Sequence, residues 1–194
     1  ICHRYENKMM RIGGILAISI IIASMCGALY VYTENSYTNV LISDLGEQVI
    51  IGNVVFDVQH VANYDILEKT KEYEEFEKTQ VRAGLIEASR ETPEGVYFQI
   101  QITAENKGDE DITLTGGQFH LYDEENTRYD PTFIGYGENE LSTIELEPNK
   151  PITITTQFDI SFDEEIQYKV GIVPNRYGLE GSWEIAFICV MNCE

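Results

Sequence analysis

The stretch from Gly95 to Pro131, GVYFQIQITAENKGDEDITLTGGQFHLYDEENTRYDP, decides the fold. In its first part apolar and polar residues alternate strictly, and the apolar set is Val96, Phe98, Ile100 and Ile102. A period of two residues is typical of a β-strand that buries one face and exposes the other. We therefore predict a strand here, with Tyr97 and Gln99 on its solvent side.

Turn-forming residues divide the rest of this stretch into shorter strands. Asn106-Lys107-Gly108 offers residues that tolerate positive φ, and the alternation resumes after it. After a glycine corner at Gly116-Gly117, the same period predicts that Phe119 and Leu121 face the core.

The alternation recurs along most of the chain after residue 45. It predicts further strands near 46–51, 54–61, 144–146, 152–160, 166–172 and 183–190. Strands at roughly ten-residue spacing, separated by Gly, Pro and Asn, predict a mainly β protein, an antiparallel β-sandwich of seven to eight strands. Because the last strand is apolar on both faces, we expect it to lie centrally in a sheet or to pack against another element.

One segment, Asp65–Thr92, departs from the strand pattern. Its composition favours a helix, but its apolar residues do not form a complete stripe. We interpret it as an insertion between strands that forms either a short helix or a long hairpin.

The charge balance excludes some classes of partner. The 194-residue chain has a formal net charge of −20. No basic patch is available to neutralise phosphates, so nucleic acid is not a predicted partner. Docking of the folded part on anionic lipid is disfavoured for the same reason. The acidic surface fits an exposed, soluble module.

The segment 12–32 contains no charged residue and predicts a membrane helix. At about 1.5 Å per residue, a helix of this length spans roughly the 30 Å hydrocarbon core of a bilayer. Basic residues precede it, which predicts a cytoplasmic region 1–11, a polar linker 33–44 and an extracytoplasmic domain 45–194. The predicted membrane-anchoring residues are Ile15, Ile20, Ile21, Ile22 and Leu29.

Several kinds of export signal fit this segment. It matches an uncleaved single-pass anchor in length, and small residues at Cys26-Gly27-Ala28 also permit a cleaved secretory signal. Arg11-Ile12-Gly13-Gly14 resembles archaeal prepilin leaders, in which the apolar helix becomes the core of a filament. Ala23-Ser24-Met25-Cys26 resembles a lipoprotein box but has Met where such boxes have Gly or Ala.

Residues for catalysis are sparse. The sequence has no nucleophile elbow, phosphate loop, H-E-x-x-H motif or paired C-x-x-C motif. His60 and His120 lie on separate predicted strands, where solvated or hydrogen-bonded histidines are more common than zinc ligands. We therefore predict that the protein is not an enzyme and has no bound cofactor.

Calcium is the one ion for which the sequence offers candidate ligands. Acidic and amide side chains occur in two predicted loops, and the candidate ligands are Asp109, Asp111, Asp123, Glu125 and Asn126. Calcium needs six to eight oxygens at one point, which two neighbouring loops could supply. The competing interpretation, that these residues form turns, is preferred.

The cysteines Cys189 and Cys193 are candidates for a disulfide in an exported domain. A fully extended chain would hold their Cα atoms about 13 Å apart, and a bridge requires less than about 7 Å. A turn at Met191-Asn192 would therefore be needed. A buried free thiol at Cys189 is the alternative.

The order of several short motifs resembles the telokin-like immunoglobulin-fold family of bacterial and archaeal surface proteins and lipoproteins. The motifs are Leu45-Gly46-Glu47, Ile51-Gly52-Asn53, Phe56-x-Val58, Tyr97-Phe98-x-Ile100-x-Ile102, Glu105-Asn106-Lys107-Gly108, Phe119-x-Leu121-x-Asp123, Tyr129, Leu146-Glu147-Pro148-Asn149-Lys150 and Phe158. The resemblance implies an immunoglobulin-like sandwich without catalytic residues. We expect a membrane-anchored, extracytoplasmic module for adhesion, envelope structure or partner binding. The alternative is a pilin-like subunit of an extracellular filament, and either role implies a protein partner or self-association.

Overall fold

The structure, a computed structural model, describes residues 40–44, 46–173 and 185–193. Within these residues the chain forms eleven strands, one α-helix and a single 3₁₀ turn. Their bounds are β1 Val40–Ser43, β2 Val49–Ile51, β3 Val54–Tyr64, α1 Lys71–Arg82, β4 Val96–Asn106, β5 Ile112–Thr115, the 3₁₀ turn Gly116–Gln118, β6 Phe119–Tyr122, β7 Arg128–Tyr129, β8 Thr143–Leu146, β9 Ile152–Ile160, β10 Tyr168–Ile172 and β11 Ile185–Met191.

The predictions for the N-terminal region lie outside the described residues. They concern the cytoplasmic region 1–11, the membrane helix 12–32 and its anchoring residues Ile15, Ile20, Ile21, Ile22 and Leu29. Among the residues that the structure does describe, no helix has the length and apolar character needed to cross a bilayer.

The described strands form a β-sandwich, as predicted. One sheet has the order β1-β11-β10-β6-β7 and the other has the order β2-β3-β4-β9, while β5 and β8 form a separate ribbon. The core lies between the two sheets and includes the fully buried Phe98, Phe119 and Phe158. The predicted count of seven to eight strands is too low. The strands missed include β1 and β7, which are edge strands of four and two residues that give no visible period.

Strand β4 is the centre of the four-stranded sheet, paired with β3 on one side and β9 on the other. Its predicted apolar face is buried, as Phe98, Ile100 and Ile102 show. The opposite face differs from the prediction, because Tyr97 and Gln99 are also buried. A second layer of chain therefore covers the outer face of this sheet.

The predicted linker 33–44 is too long at its C-terminal end. Val40–Ser43 forms β1, which pairs in parallel with β11. Such pairing joins the two ends of the domain, and a four-residue run does not reveal it locally. With β1 on one side and β10 on the other, β11 lies within its sheet, so its predicted central position is confirmed.

The insertion Asp65–Thr92 contains α1, so it forms the short helix rather than the long hairpin. Thr70 caps the N-terminus, since its Oγ1 accepts a hydrogen bond of 3.2 Å from the Tyr73 amide. At the C-terminus Gly84 adopts a φ of +70°. Its amide donates to the Val81 carbonyl and the Leu85 amide donates to the Gln80 carbonyl, which together form a Schellman motif.

Candidate functional site

The insertion packs on the outer face of the four-stranded sheet. Leu67, Tyr97 and Ile134 form a small buried cluster there, separate from the main core. The Tyr97 hydroxyl donates a 2.7 Å hydrogen bond to the Arg90 carbonyl. Burial, reinforced by Asp159, raises the pKa of Tyr97 to about 12. The insertion is therefore attached to the sandwich by both apolar and polar contacts.

A buried ion pair fixes α1 to the end of the insertion. Glu77 is only 5% exposed, and its carboxylate accepts a 2.5 Å hydrogen bond from the Lys69 ammonium. The amide and hydroxyl of Ser89 donate to the same carboxylate at 2.7 Å. Burial raises the pKa of Glu77, but the donors from Lys69 and Ser89 outweigh it and hold the pKa below its ordinary value.

A second buried carboxylate organises the loop that lies beside the helix. Glu140 is 7% exposed and accepts three successive backbone hydrogen bonds, from Ile134 at 2.5 Å, Gly135 at 2.6 Å and Tyr136 at 2.9 Å. The Gln157 side chain of β9 donates a fourth hydrogen bond at 2.5 Å. Successive amides that converge on one point form an anion-binding concavity, and here Glu140 itself fills it.

Gly135 joins this loop to the helix. Its carbonyl accepts a 2.9 Å hydrogen bond from the Thr70 amide at the start of α1. Its φ is +85°, and a Cβ atom at this position would lie 1.9 Å from the Tyr73 ring. Both the backbone conformation and the ring contact therefore require glycine.

Replacing Gly135 with alanine is expected to loosen α1 from the sandwich without unfolding the core. The new methyl group displaces the Tyr73 ring, so we expect faster amide hydrogen exchange in residues 70–92 and faster proteolysis there. Gly137→Ala is the matched control, because a Cβ at that position meets no atom within 4 Å. Equal exchange in the two variants would contradict this role for Gly135.

The insertion and the adjoining loop expose several large apolar side chains. The Tyr73 ring lies 5.2 Å from the Phe133 ring and 6.0 Å from the Phe76 ring, so the three form an aromatic row. Phe76 is 53% exposed and Phe133 is 36% exposed. Further exposed apolar residues follow at the C-terminal end of the helix, namely Val81, Leu85 and Ile86. We call the aromatic row and these three residues the insertion patch.

Glutamates flank Phe76 on both sides in the sequence of α1. Of the five charged residues between Glu72 and Gln80, four are glutamates. Glu77 and Glu74 are neutralised by Lys69 and Lys78. Glu72 and Glu75 are exposed, and among the described residues neither has an ion-pair partner.

The five candidate calcium ligands do not come together. The Asp123 carboxylate instead accepts hydrogen bonds from the Thr127 amide at 2.8 Å and the Tyr129 hydroxyl at 3.0 Å. Burial raises the pKa of Asp123, but these donors lower it overall. Asn126 accepts a hydrogen bond from Lys169.

Asp109, Asp111 and Glu125 do not join Asp123 and Asn126 in a metal site. In the described parts of the chain, no three or more His, Cys, Asp or Glu side chains are grouped as a metal site requires. Asp123 and Asn126 serve to shape the β6–β7 turn, where Asn126 adopts a φ of +63°.

The two histidines outside the N-terminal region contact residues that do not belong to the insertion patch. His60 stacks on Phe98 with ring centroids 4.2 Å apart, and its Nε2 lies 3.0 Å from the Asn63 amide oxygen. His120 Nδ1 lies 3.0 Å from an Asp130 carboxylate oxygen. Burial, with a contribution from Arg128, lowers the pKa of His120.

Cys189 and Cys193 form a disulfide in the structure, with their Cα atoms 5.8 Å apart. The chain makes the required turn at Asn192, which adopts a φ of +52°. The Asn192 side chain donates hydrogen bonds to the carbonyls of Glu164 at 2.7 Å and Ile166 at 2.8 Å. The bridge therefore closes a turn that is also held by side-chain hydrogen bonds.

Reduction of this disulfide is expected to lower the free energy of unfolding by about 2 kcal/mol, because the closed loop is short. The measurement is denaturant unfolding with and without a thiol reductant. Cys193→Ser should show the same lowered stability in both conditions. A wild-type protein insensitive to reductant would contradict the bridge.

Residues 43–178 match a family described as a domain of unknown function, DUF4352, and the chain belongs to this family. No curated protein matches the chain.

Solved structures share the fold at low sequence identity. The YjhA protein of Bacillus subtilis is 16% identical with a TM-score of 0.51, and the match covers 76% of this chain and 98% of that one. YcdA of Bacillus subtilis, described as a "putative lipoprotein", is 11% identical with a TM-score of 0.50, over 74% of this chain and 38% of that one. The secreted protein MPT63 of Mycobacterium tuberculosis is 11% identical with a TM-score of 0.48, over 79% and 98%. The structural matches to YjhA and YcdA establish a shared fold and, at this sequence identity, nothing further.

Proposed function

We propose that this protein is a membrane-anchored, extracytoplasmic immunoglobulin-like module of the telokin-like type. It binds a partner protein through the insertion patch and catalyses no reaction. The order of strands supports the immunoglobulin-like assignment. In immunoglobulin sandwiches strands C, F and G lie side by side in one sheet and A, B and E in the other. Strands β6, β10 and β11 have the first arrangement and β3, β4 and β9 have the second.

The single observation that carries the binding role is the inverted burial of α1. The helix buries a glutamate, Glu77, and exposes a phenylalanine, Phe76. Of the two aromatic residues of the helix, Tyr73 packs against Gly135, and a helix that only covered its own sheet would place Phe76 inward as well. Large exposed apolar surfaces that the fold does not need are typical of interaction sites.

The buried carboxylates support a non-catalytic role. Glu77 and Glu140 are each surrounded by donors from the fold itself. Carboxylates held in this way stabilise a local structure and are poorly placed to exchange protons with a substrate.

The sequence before the domain supports the location. An apolar segment at 12–32 follows three basic residues, Arg4, Lys8 and Arg11. The similar protein YcdA is described as a "putative lipoprotein", which agrees with a place at the cell surface.

Two measurements test this proposal. Protease added to intact cells should digest the domain, and protection of residues 39–194 would overturn the extracytoplasmic location. For binding, a photo-crosslinking amino acid is placed at Phe76, and at Ile42, an 83% exposed residue outside the insertion patch, as the control. We expect a discrete adduct from position 76 only. Equal yields from both positions would overturn the binding role.

A further inference from the structure

We infer that the insertion patch recognises a cationic, amphipathic polypeptide segment, in which apolar side chains cover the aromatic row and Lys or Arg side chains pair with Glu72 and Glu75. This inference deepens the proposed function and rests on it. It specifies the chemistry of the partner rather than the existence of one.

The geometry of the patch suits an apolar side chain. Phe76 and Phe133 flank the Tyr73 ring at 6.0 and 5.2 Å, and the Tyr73 ring is itself held against Gly135. A rigid aromatic surface loses little conformational entropy on binding, which makes it a suitable anchor for a partner. The buried Lys69–Glu77 pair beneath it fixes the helix that presents Phe76.

The charges beside the aromatic row favour a partner with positive charge. Glu75 directly precedes Phe76, and Glu72 lies one helical turn before it on the same face. Both carboxylates are exposed, and within the described residues no cation pairs with them. A cationic partner would satisfy both, while an anionic partner would be repelled from the row.

The net charge of the chain disfavours a second copy or an anionic lipid surface as the occupant of the insertion patch. Two copies of a chain with a formal charge of −20 repel each other, so a second copy is a poor occupant. An anionic lipid surface is disfavoured by the same sign. Lys71 and Arg82 are the exposed cations of the helix that lack an ion pair among the described residues, and they lie at its two ends rather than beside Phe76.

The test uses the full chain in nanodiscs of zwitterionic phosphatidylcholine. The probes are three fluorescent synthetic peptides: an amphipathic peptide of Leu and Lys, its counterpart of Leu and Glu, and its counterpart of Ser and Lys. Fluorescence anisotropy gives each dissociation constant, and empty nanodiscs supply the background. The protein variants are Phe76→Ser with Phe133→Ser, Glu72→Gln with Glu75→Gln, and the control pair Ile42→Ser with Ile50→Ser.

We expect the Leu–Lys peptide to bind, with affinity lowered about tenfold or more by the double Phe→Ser change and about threefold by the double Glu→Gln change. The control pair should leave the affinity unchanged. Phe76 is 53% exposed, but Phe133 is 36% exposed and packs against Tyr73. Circular dichroism of each variant therefore checks that a loss of affinity does not come from misfolding.

The other outcomes separate this inference from the proposed function. If the Leu–Glu peptide binds as well as the Leu–Lys peptide and the Phe→Ser change abolishes both, the patch is a docking site but the cationic partner is wrong. Equal binding of the Leu–Lys peptide to all variants, or binding of the Ser–Lys peptide with the same affinity, would reduce the attraction to net charge and overturn the inference. A photo-crosslinked adduct of two copies of this chain would overturn it in favour of self-association.

Discussion

Replacing Glu140 with alanine is expected to lower the free energy of unfolding by about 3–5 kcal/mol, one of the two largest effects of a single side chain in the outer layer. Its carboxylate accepts hydrogen bonds from the amides of Ile134, Gly135 and Tyr136 and from the side chain of Gln157. Alanine leaves the three backbone amides without their acceptor, and the Gln157 side chain keeps only its hydrogen bond to the Thr132 carbonyl. Each such loss costs about 1–3 kcal/mol, less whatever entering water recovers.

Denaturant unfolding measures this effect, and two variants bracket it. Glu138→Ala removes a glutamate two residues away that is less buried and should change stability by less than about 0.5 kcal/mol. Glu140→Gln keeps one acceptor oxygen and should lie between the wild type and Glu140→Ala. If Glu140→Ala were as stable as Glu138→Ala, the loop would not depend on the carboxylate.

The main sandwich could be predicted from the sequence because its strands bury one face continuously. Alternation in β4 and β9 marks Phe98 and Phe158 directly, and both are fully buried. The same rule failed on the outer face of β4, where Tyr97 was expected to be solvated. What covers Tyr97 is Leu67 and Ile134, which come from segments without a period.

The candidate site could be predicted only in part, because its key residues act through distant contacts. Glu77 and Glu140 are ordinary glutamates in an acidic sequence, and nothing adjacent to them marks a buried position. Gly135 is one of 15 glycines, and its requirement arises from the Tyr73 ring of a helix far away in the chain. A possible clue was Phe76, an aromatic residue within a glutamate-rich run that gives no complete apolar stripe.

The short acidic loops show the opposite case, in which local chemistry sufficed. Asp123 and Asn126 have the side chains of both calcium ligands and turn formers. In the structure they accept hydrogen bonds from Thr127, Tyr129 and Lys169 within the same layer. The turn-forming interpretation, which the sequence favoured, therefore accounts for them.

The second large effect is expected from Lys69→Ala, which should lower the free energy of unfolding by about 3–5 kcal/mol at neutral pH. The ammonium of Lys69 is the charged partner of Glu77 and also donates to the Ser89 carbonyl at 2.6 Å. Its removal leaves a carboxylate buried without a counter-charge. Lys78→Ala, which breaks the exposed pair with Glu74, is the matched control and should cost less than about 1 kcal/mol.

The pH dependence of the stability of Lys69→Ala distinguishes a buried, unpaired Glu77 charge from a simple loss of packing. In the wild type the folded-state pKa of Glu77 lies below its ordinary value of 4.5. The ion pair therefore stabilises the fold above the unfolded-state pKa, and this contribution is lost as the pH falls through the lower folded-state pKa. In Lys69→Ala burial acts on Glu77 without the ammonium, which favours the protonated form. We expect the deficit of the variant to be largest at neutral pH and to narrow as the pH falls from neutral towards the lowered folded-state pKa of Glu77 in the wild type.

A double replacement measures the net contribution of the Lys69–Glu77 pair to stability, which differs from the cost of removing one partner. Lys69→Met with Glu77→Met removes both charges and retains apolar volume, so its stability should lie much closer to the wild type than that of Lys69→Ala. Urea unfolding of the single and double variants at pH 4 and pH 7 measures both comparisons. A deficit for Lys69→Ala that is equal at the two pH values, or a double variant as unstable as the single one, would mean that packing of the Lys69 stem, rather than the buried charge of Glu77, holds α1 in place.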